Sequence, residues 1–429
     1  MPNPDTQPRH YMHKKLRIGL FGFGVVGQGL YDIFTQTEDF DAEIVKICVK
    51  DPHKPRPLAA HHFTTDPDDI LHDPTINLVV EMINNTRDAY QIVQTALENG
   101  KTVVSASKKM LAENLENLVS LQEKHQTPLL YEASVCGSIP IIRNLEEYYD
   151  NELLYSVSGI VNGTSNYILS KIFQENLDYA TALHQAQEAG FAETDPTADV
   201  GGFDAVNKLC ILITHAYGIF VKPEQVFNYG IGSLSKHDVR FAREKGLKIK
   251  LVAQTGKLTD NTIMASVMPQ FVPATDYLYN VENEYNGVTV EAAFADKQFF
   301  MGKGAGGHPT GAAVLSDISA SRYEYQYEYK KHQHTRIRYT SQAIVEIYVR
   351  HHHEADLALI PFRNISEQYH SRDFGYAIGE VNVADLLPIK NALPQRDMFM
   401  ASTGRNPVSA ENNPKTVSDA IEPLMHPQK

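Results

Sequence analysis

Two rhythms of apolar positions alternate over the first third of the chain. Short unbroken apolar runs mark strands at Leu16–Gly22, Glu43–Val49, Asn77–Ile83 and Lys101–Ser105. Between them, helical spacing appears over Phe23–Phe34 and again over Asp88–Asn99, where Tyr90, Ile92, Val93, Ala96 and Leu97 share one face and Gly100 closes the segment. This alternation predicts an α/β fold, a Rossmann-type doubly wound parallel sheet covered by helices on both faces. From Leu153 the pattern changes to a strand at Tyr155–Val161, helices near 165–175, 179–190, 204–218 and 236–246, and strands at Lys248–Gln254, Thr262–Met268, Val288–Ala293 and Gln298–Met301. These predict a second, α+β domain built on a mixed sheet.

A third texture starts at Tyr323-Glu-Tyr-Gln-Tyr-Glu-Tyr329, whose period of two reads as a half-buried strand or an interface. Beyond it come a strand at Ala343–Val349, a helix near Phe362–His370 and a strand at Tyr376–Val383, after which Pro, Asn and Ser become dense. The expected organisation is an arm over 1–14, a first domain over 15–150, a second over 151–322, a small α+β module over 323–390, and a tail over 391–429.

The 429 residues are 42% hydrophobic and 21% charged, a globular composition with room for more than one core. A formal net charge of −13 argues against a nucleic-acid partner, which needs a basic face. No apolar run is long enough to span a bilayer and the first fifteen residues lack a signal-peptide core, so neither membrane nor export is expected. Cys48, Cys136 and Cys210 lie far apart without zinc or C-x-x-C spacing, which fits a reducing cytoplasm.

Chemistry concentrates in a few segments. Gly22-x-Gly24-Val25-Val26-Gly27 follows a predicted strand and opens a predicted helix, the setting in which such glycines cradle a pyrophosphate. After the second strand, Lys50 and Arg56 offer basic groups for a 2′-phosphate while Asp51 keeps a ribose hydroxyl in play, so NADP and NAD both stay open. Thr86, Ala106 and Lys108 stand at the carboxyl ends of the next two strands, where a doubly wound sheet binds its ligand. Glu193-Thr-Asp-Pro-Thr-Ala-Asp199-Val-Gly-Gly-Phe-Asp204-Ala-Val-Asn-Lys208 gathers ionisable groups ahead of an apolar helix, with Asp204 and Lys208 on one helical face. Taken alone, that pair also reads as an ordinary solvated ion pair.

Together, GFGVVG (22–27), GKTVVSASKKMLA (100–112), YEASVCGSIPII (131–142), GIVNGTSNYIL (159–169), the 191–208 segment and GKGAGGHPTGAAVLSDI (302–318) resemble the homoserine dehydrogenases from about Lys15 to Ser319. The resemblance implies NAD(P)-dependent interconversion of L-homoserine and L-aspartate 4-semialdehyde, on the route to threonine, methionine and isoleucine, by a homodimer or higher homo-oligomer. It assigns Lys208 as proton donor, Lys108 as a second active-site lysine near nicotinamide and substrate, and Glu193 and Asp204 as substrate ligands. Asp199 is expected to support them, and Gly306 to approach the cofactor as residues 302–322 fold back on the first domain, which the resemblance makes the dinucleotide-binding one, with the second (151–322) binding substrate and forming the dimer. It also implies a monovalent cation such as sodium, held by main-chain oxygens of Glu132, Val135, Gly137 and Ile139. With the first strand beginning at residue 16, no fused aspartokinase is expected.

The chain departs from relatives at Asn84-Asn85-Thr86 and Ala106-Ser107-Lys108, where many carry Gly-Gly-Thr and Ala-Asn-Lys. Its C-terminal region lacks the Asp-x-Pro-Gly turn of the regulatory ACT domain, which weakens an expectation of threonine feedback. His351-His352-His353 reads as an exposed strand end, because consecutive side chains alternate faces and cannot share one ion. Two alternatives stand beside the main reading: a catalytically silent relative that senses a ligand, and a thioester-forming dehydrogenase using Cys136.

Overall fold

The computed structural model describes residues 15–38, 40–150, 153–259 and 261–410. Six strands form the first sheet: β1 (Leu16–Phe21), β2 (Ala42–Cys48), β3 (Phe63–Thr64), β4 (Leu78–Glu81), β5 (Thr102–Ser105) and β6 (Leu129–Leu130), ordered β3-β2-β1-β4-β5-β6 with all neighbours parallel. β4 is buried along its whole length, as expected of a strand covered on both faces. The chain direction across the sheet reverses beside β1, so the crevice at the carboxyl ends of β1 and β4 is the ligand-binding place of this architecture. The two-residue strands β3 and β6 left too short an apolar signal to be expected from the sequence.

The second sheet is built from β7 (Leu154–Ile160), β8 (Phe227–Asn228), β9 (Leu247–Thr259), β10 (Thr262–Pro273), β11 (Tyr285–Ala292), β12 (Asp296–Lys303), β13 (Arg338–Tyr339), β14 (Ala343–His351), β15 (Phe362–His370), β16 (Gly375–Asn382), β17 (Met398–Ser402) and β18 (Val408–Ser409). Its main path runs β12-β11-β7-β9-β10-β17-β14-β16-β15, mostly antiparallel, with β17 parallel to β10 through Gln270 and Ser402. The mixed sheet expected for the second domain is therefore continuous with the C-terminal strands. Arg350 on β14 strengthens that junction, its buried guanidinium lying 3.1 Å from Asp238 of the Lys236–Glu244 helix.

Three readings of the C-terminal region need correction. The segment expected as a tail from 391 contains β17, all five residues of which are buried between β10 and β14, so the final module extends past 390. Its order β17-β14-β16-β15, with one-turn helices at Glu354–Leu357 and Val383–Leu386, is that of a split β-α-β unit. Phe362–His370 is an edge strand rather than a helix: its two register shifts against β16 break the strict alternation of a strand, so the three-residue interval between Phe362 and Ile365 reads as a helical period. The tyrosine tract is irregular rather than a strand, yet it alternates in burial, with Tyr327 and Tyr329 fully inside. Tyr329 reaches Tyr131 at 2.8 Å, and Tyr131 meets His215, whose other nitrogen lies 2.8 Å from Glu146. The expected arm and the end of the expected tail lie outside the described residues.

Candidate active site

The glycine loop follows β1 directly. Gly22 has φ +99°, and a Cβ there would strike the Met82 carbonyl. A Cβ at Gly27 would lie 2.7 Å from the Gly22 carbonyl, so the Val25–Gln36 helix packs on the strand only because residue 27 has no side chain. A Cβ at Gly24, by contrast, meets nothing within 4 Å. The loop is tight on the protein side and open where a pyrophosphate would sit at the helix N-terminus. Val25, 73% exposed, is the first residue of that helix.

Gly306 (φ +114°) opens a second helix, Gly307–Ser321, which crosses the first so closely that Gly29 and Gly307 stand backbone to backbone. Two helix N-termini thus meet beside the glycine loop, and both favour anionic charge. Arg56 lies on the loop after β2, donating to the carbonyls of Asp51 at 2.7 Å and Lys54 at 2.9 Å, with its guanidinium over Phe63. Phe63 in turn packs against Phe23 of the glycine loop. Lys50 is exposed on the same loop.

At the carboxyl ends of β4 and β5 a buried carboxylate fixes the loops. Glu81 accepts from Ser105 Oγ at 2.6 Å, Ser107 Oγ at 2.8 Å and the Ile83 amide at 2.7 Å. Burial pushes its carboxyl above the usual range and these bonds pull it back. Ser107 therefore ties the start of the Lys108–His125 helix to the end of β4, and the Ala106 amide bonds the Glu81 carbonyl. Thr86 opens the Thr86–Glu98 helix at the neighbouring strand end, with Asn85 as its cap.

Lys108 projects from this frame onto Asp204. Its Nζ lies 2.7 Å from Asp204 Oδ1, while Lys208 Nζ lies 2.8 Å from Oδ2 and donates to the Val161 carbonyl at 2.6 Å. Asp204 and Lys208 are buried and sit in the Phe203–Tyr217 helix, whereas Lys108 is 45% exposed in its side chain. The site therefore spans the end of the parallel sheet and the end of β7. Burial alone would lift the Asp204 carboxyl, but the two lysines hold it well below the carboxylate range. Asp204 in turn raises Lys108 above the ordinary amine range, against the opposing effect of burial and with help from Asp199 and Glu193.

Asn162, which the residue-by-residue reading of the sequence did not single out, joins the group. Its side-chain amide donates to Asp199 Oδ1 at 2.7 Å and to Asp204 Oδ2 at 2.9 Å, while its oxygen caps the Gly163–Glu175 helix by accepting from the Ser165 amide. A helix-capping Asn directly after a strand was the available signal. Asp199 is thus linked to Asp204 through Asn162, and burial raises its carboxyl. Glu193 is exposed at the rim.

The segment expected to ring a cation is buried and irregular, with Cys136 (φ +57°) and Gly137 (φ +52°) both left-handed. The carbonyls of Glu132 and Ile139 each accept one main-chain bond, and among the described residues no main-chain donor serves those of Val135 and Gly137. Main-chain oxygens left without main-chain donors in a buried, irregular segment are the donor type a hard cation takes. The Glu132 carboxylate is committed elsewhere, to the amides of Ile142 and Arg143. Cys136 is fully buried and its thiol is pushed up to about 11 by desolvation, the opposite of what an attacking thiolate needs, which speaks against the thioester reading. His351 is likewise corrected: it is buried, while His352 and His353 are exposed.

A family model described as homoserine dehydrogenase matches residues 140–319, and one described as the homoserine dehydrogenase NAD binding domain matches residues 22–132. The homoserine dehydrogenase of Lactococcus lactis is 35% identical over 314 residues, 71% of this chain and 73% of that protein. That of Corynebacterium glutamicum is 36% identical over 327 residues, 73% of this chain and 74% of that protein. Among solved structures, a homoserine dehydrogenase from Thiobacillus denitrificans superposes with TM-score 0.77 at 28% identity, covering 92% of this chain and 98% of that one. The enzyme from S. aureus does so with TM-score 0.69 at 30% identity, covering 92% and 100%.

Proposed function

Since this chain belongs to the homoserine dehydrogenase family, NAD(P)-dependent oxidoreductases that interconvert L-homoserine and L-aspartate 4-semialdehyde, we propose that Lys208 is its proton donor and that Asp204 sets the geometry of the reaction. One observation carries this reading: a single buried carboxylate holds Lys208 on one oxygen and Lys108 on the other. The nicotinamide, when bound, supplies or takes the hydride at the carbonyl carbon. An ammonium has three protons, and Lys208 spends two on Val161 and Asp204, which leaves one for the aldehyde oxygen. In the reverse direction the neutral amine takes the proton of the homoserine hydroxyl.

Glu193 and the remaining acceptor position on Asp204 Oδ1 suit the substrate α-ammonium group. Asp199 acts through Asn162 as a positioning residue. Gly22, Gly24, Val25, Val26, Gly27 and Gly306 suit the pyrophosphate, with Thr86, Ala106 and Lys108 beside the nicotinamide. Arg56, with Lys50 beyond it, suits a 2′-phosphate, so NADP is the preferred cofactor. A sodium-like ion on the carbonyls of Glu132, Val135, Gly137 and Ile139 would brace the loop next to Lys303 and Gly304, whose main chain packs on Gly137.

Three free cysteines support a cytoplasmic location, and no helix among the described residues is long and apolar enough to cross a membrane. The open edge at β12 flanked by Phe294, 78% exposed, supports a homodimer formed through the second sheet.

The test is NAD(P)H oxidation on addition of L-aspartate 4-semialdehyde. Lys208→Ala is expected to slow turnover by roughly 10²–10⁴-fold with cofactor affinity nearly unchanged. Turnover at the parent rate in that variant removes Lys208 from the mechanism.

A further inference from the structure

At the far end of the C-terminal sheet, three adjacent strands place two histidines on the same face across a glycine. His351 of β14 is opposite Gly375 of β16, and Gly375 is opposite His370 of β15. Residues directly opposite in a sheet share a face, so the imidazoles of His351 and His370 flank a position that has no side chain. The space is used: a Cβ at Gly375 would lie 2.8 Å from His351 Nε2. Glu354, three residues after His351 on the one-turn helix that follows β14, comes to the same place, its carboxylate 3.2 Å from His370 Nδ1. One ligand atom from each of His351, Glu354 and His370 falls within 4.8 Å of the others.

The burial of these groups is unequal in an informative way. His351 is only 2% exposed, and among the described residues neither ring nitrogen has a hydrogen-bond partner of good geometry; burial holds its imidazole below the ordinary histidine range, against smaller opposing effects of Glu354 and the His353 main chain. An imidazole buried without partners is costly unless something else satisfies it. His370 and Glu354 are 53% and 68% exposed in their side chains, so they are free to rotate. A tetrahedral set at ordinary zinc distances needs donors roughly 3.4 Å apart, within reach of small rotations of the two exposed side chains.

We propose that His351, Glu354 and His370 form a binding site for a divalent transition-metal ion of the zinc class, remote from the catalytic lysines and completed by water. Two imidazoles and one carboxylate are a donor set for zinc and its neighbours rather than for magnesium or calcium. The histidine triplet contributes one ligand, not three. His352 is turned to the Asp373 carbonyl at 2.7 Å, and His353 is exposed at the N-cap position of the short helix, without a side-chain cap bond. The ion would pin the edge strand β15 to β14 and to the turn between them.

Zinc chloride titrated by calorimetry into the full-length protein, stripped of metal with a chelator, tests this. One ion per chain is expected, with affinity lowered at least tenfold by either His370→Ala or Glu354→Gln and unchanged by His353→Ala. The substituted residues are exposed, so the variants keep the parent fold, which circular dichroism and turnover confirm. Absence of stoichiometric binding, or binding that persists undiminished in His370→Ala and Glu354→Gln, overturns the proposal; the second result would place the ion on other surface histidines such as His61 and His62.

Discussion

Lys108 and Asp204 meet at 2.7 Å across the boundary between the two sheets, one at the end of β5 and the other on the helix that also carries Lys208. An i,i+4 Asp/Lys pair is ordinarily worth a few tenths of a kcal/mol on a helix surface. Here the carboxylate is buried, and each oxygen serves a different lysine. The pairing therefore fixes the separation of two amines and couples the first sheet to the helix that carries Lys208. Asn162 occupies a further lone pair of the same carboxylate and so sets its rotation.

Asp204→Asn leaves Lys208 buried with one uncharged partner, and should destabilise the protein by about 3–5 kcal/mol at neutral pH. The pH dependence has a definite sign. Asp204 is held below its unfolded value, so its contribution is present above about pH 3.9 and is lost as pH falls through the lower folded value. Lys108 is held above its unfolded value, so its contribution is full below about pH 10.4 and is lost as pH rises through the higher folded value. Urea unfolding at pH 3, 5, 7 and 10 should show the variant's deficit largest between those limits. A deficit of equal size at every pH would mean that packing, not charge, is what Asp204 supplies.

Asn162→Ala should lower kcat roughly ten- to a hundredfold, as loss of hydrogen bonds to charged groups implies, with little change in cofactor affinity. Asn162→Asp is the sharper variant, since it sets a third carboxylate against Asp199 and Asp204. Its activity should recover partly as pH is lowered and one of the three takes up a proton. A pH profile superimposable on that of Asn162→Ala would show that Asn162 only caps its helix.

The glycine loop separates folding from binding. Gly27→Ala drives a methyl against the Gly22 carbonyl and should cost about 1–3 kcal/mol of stability. Gly24 has extended backbone angles and open space around it, so Gly24→Ala should melt like the parent while its KM for the cofactor rises several-fold. Paired melting curves and cofactor KM values decide it. Should Gly24→Ala bind cofactor normally, the pyrophosphate lies elsewhere.

Much of this was legible in the sequence because it is local. Strand-then-glycine spacing announced the loop, and the four-residue interval between Asp204 and Lys208 placed both on one helical face. Lys108 was legible as a residue at a strand end but not as a partner of Asp204, because nothing local links positions 108 and 204. Asn162 was hidden for the same reason, its two carboxylate partners lying 37 and 42 residues away. Edge-strand bulges disguised Phe362–His370, and the apolar Met398–Ala401 run was outweighed by the Pro and Asn around it. The pairing of His351 with His370 depends on strand register, which no period in the sequence reports.

Arg56 is where cofactor choice should be decided. Its guanidinium rests on Phe63 and on two main-chain carbonyls of its own loop, and among the described residues no carboxylate forms an ion pair with it, so its charge remains available to a phosphate. NADP carries that phosphate and NAD does not. Arg56→Ala should therefore raise the KM for NADPH about tenfold or more, the expected loss for one charge-assisted contact, and leave the KM for NADH within a factor of two. Lys50→Ala, exposed on the same loop, should act in the same direction and more weakly, because a fully hydrated ammonium gains less from the contact. Steady-state kinetics with both cofactors reads the ratio directly. Equal effects of Arg56→Ala on NADPH and NADH would place the residue outside the 2′-phosphate site, and a parent enzyme that prefers NADH would turn the choice toward Asp51 and the ribose hydroxyl.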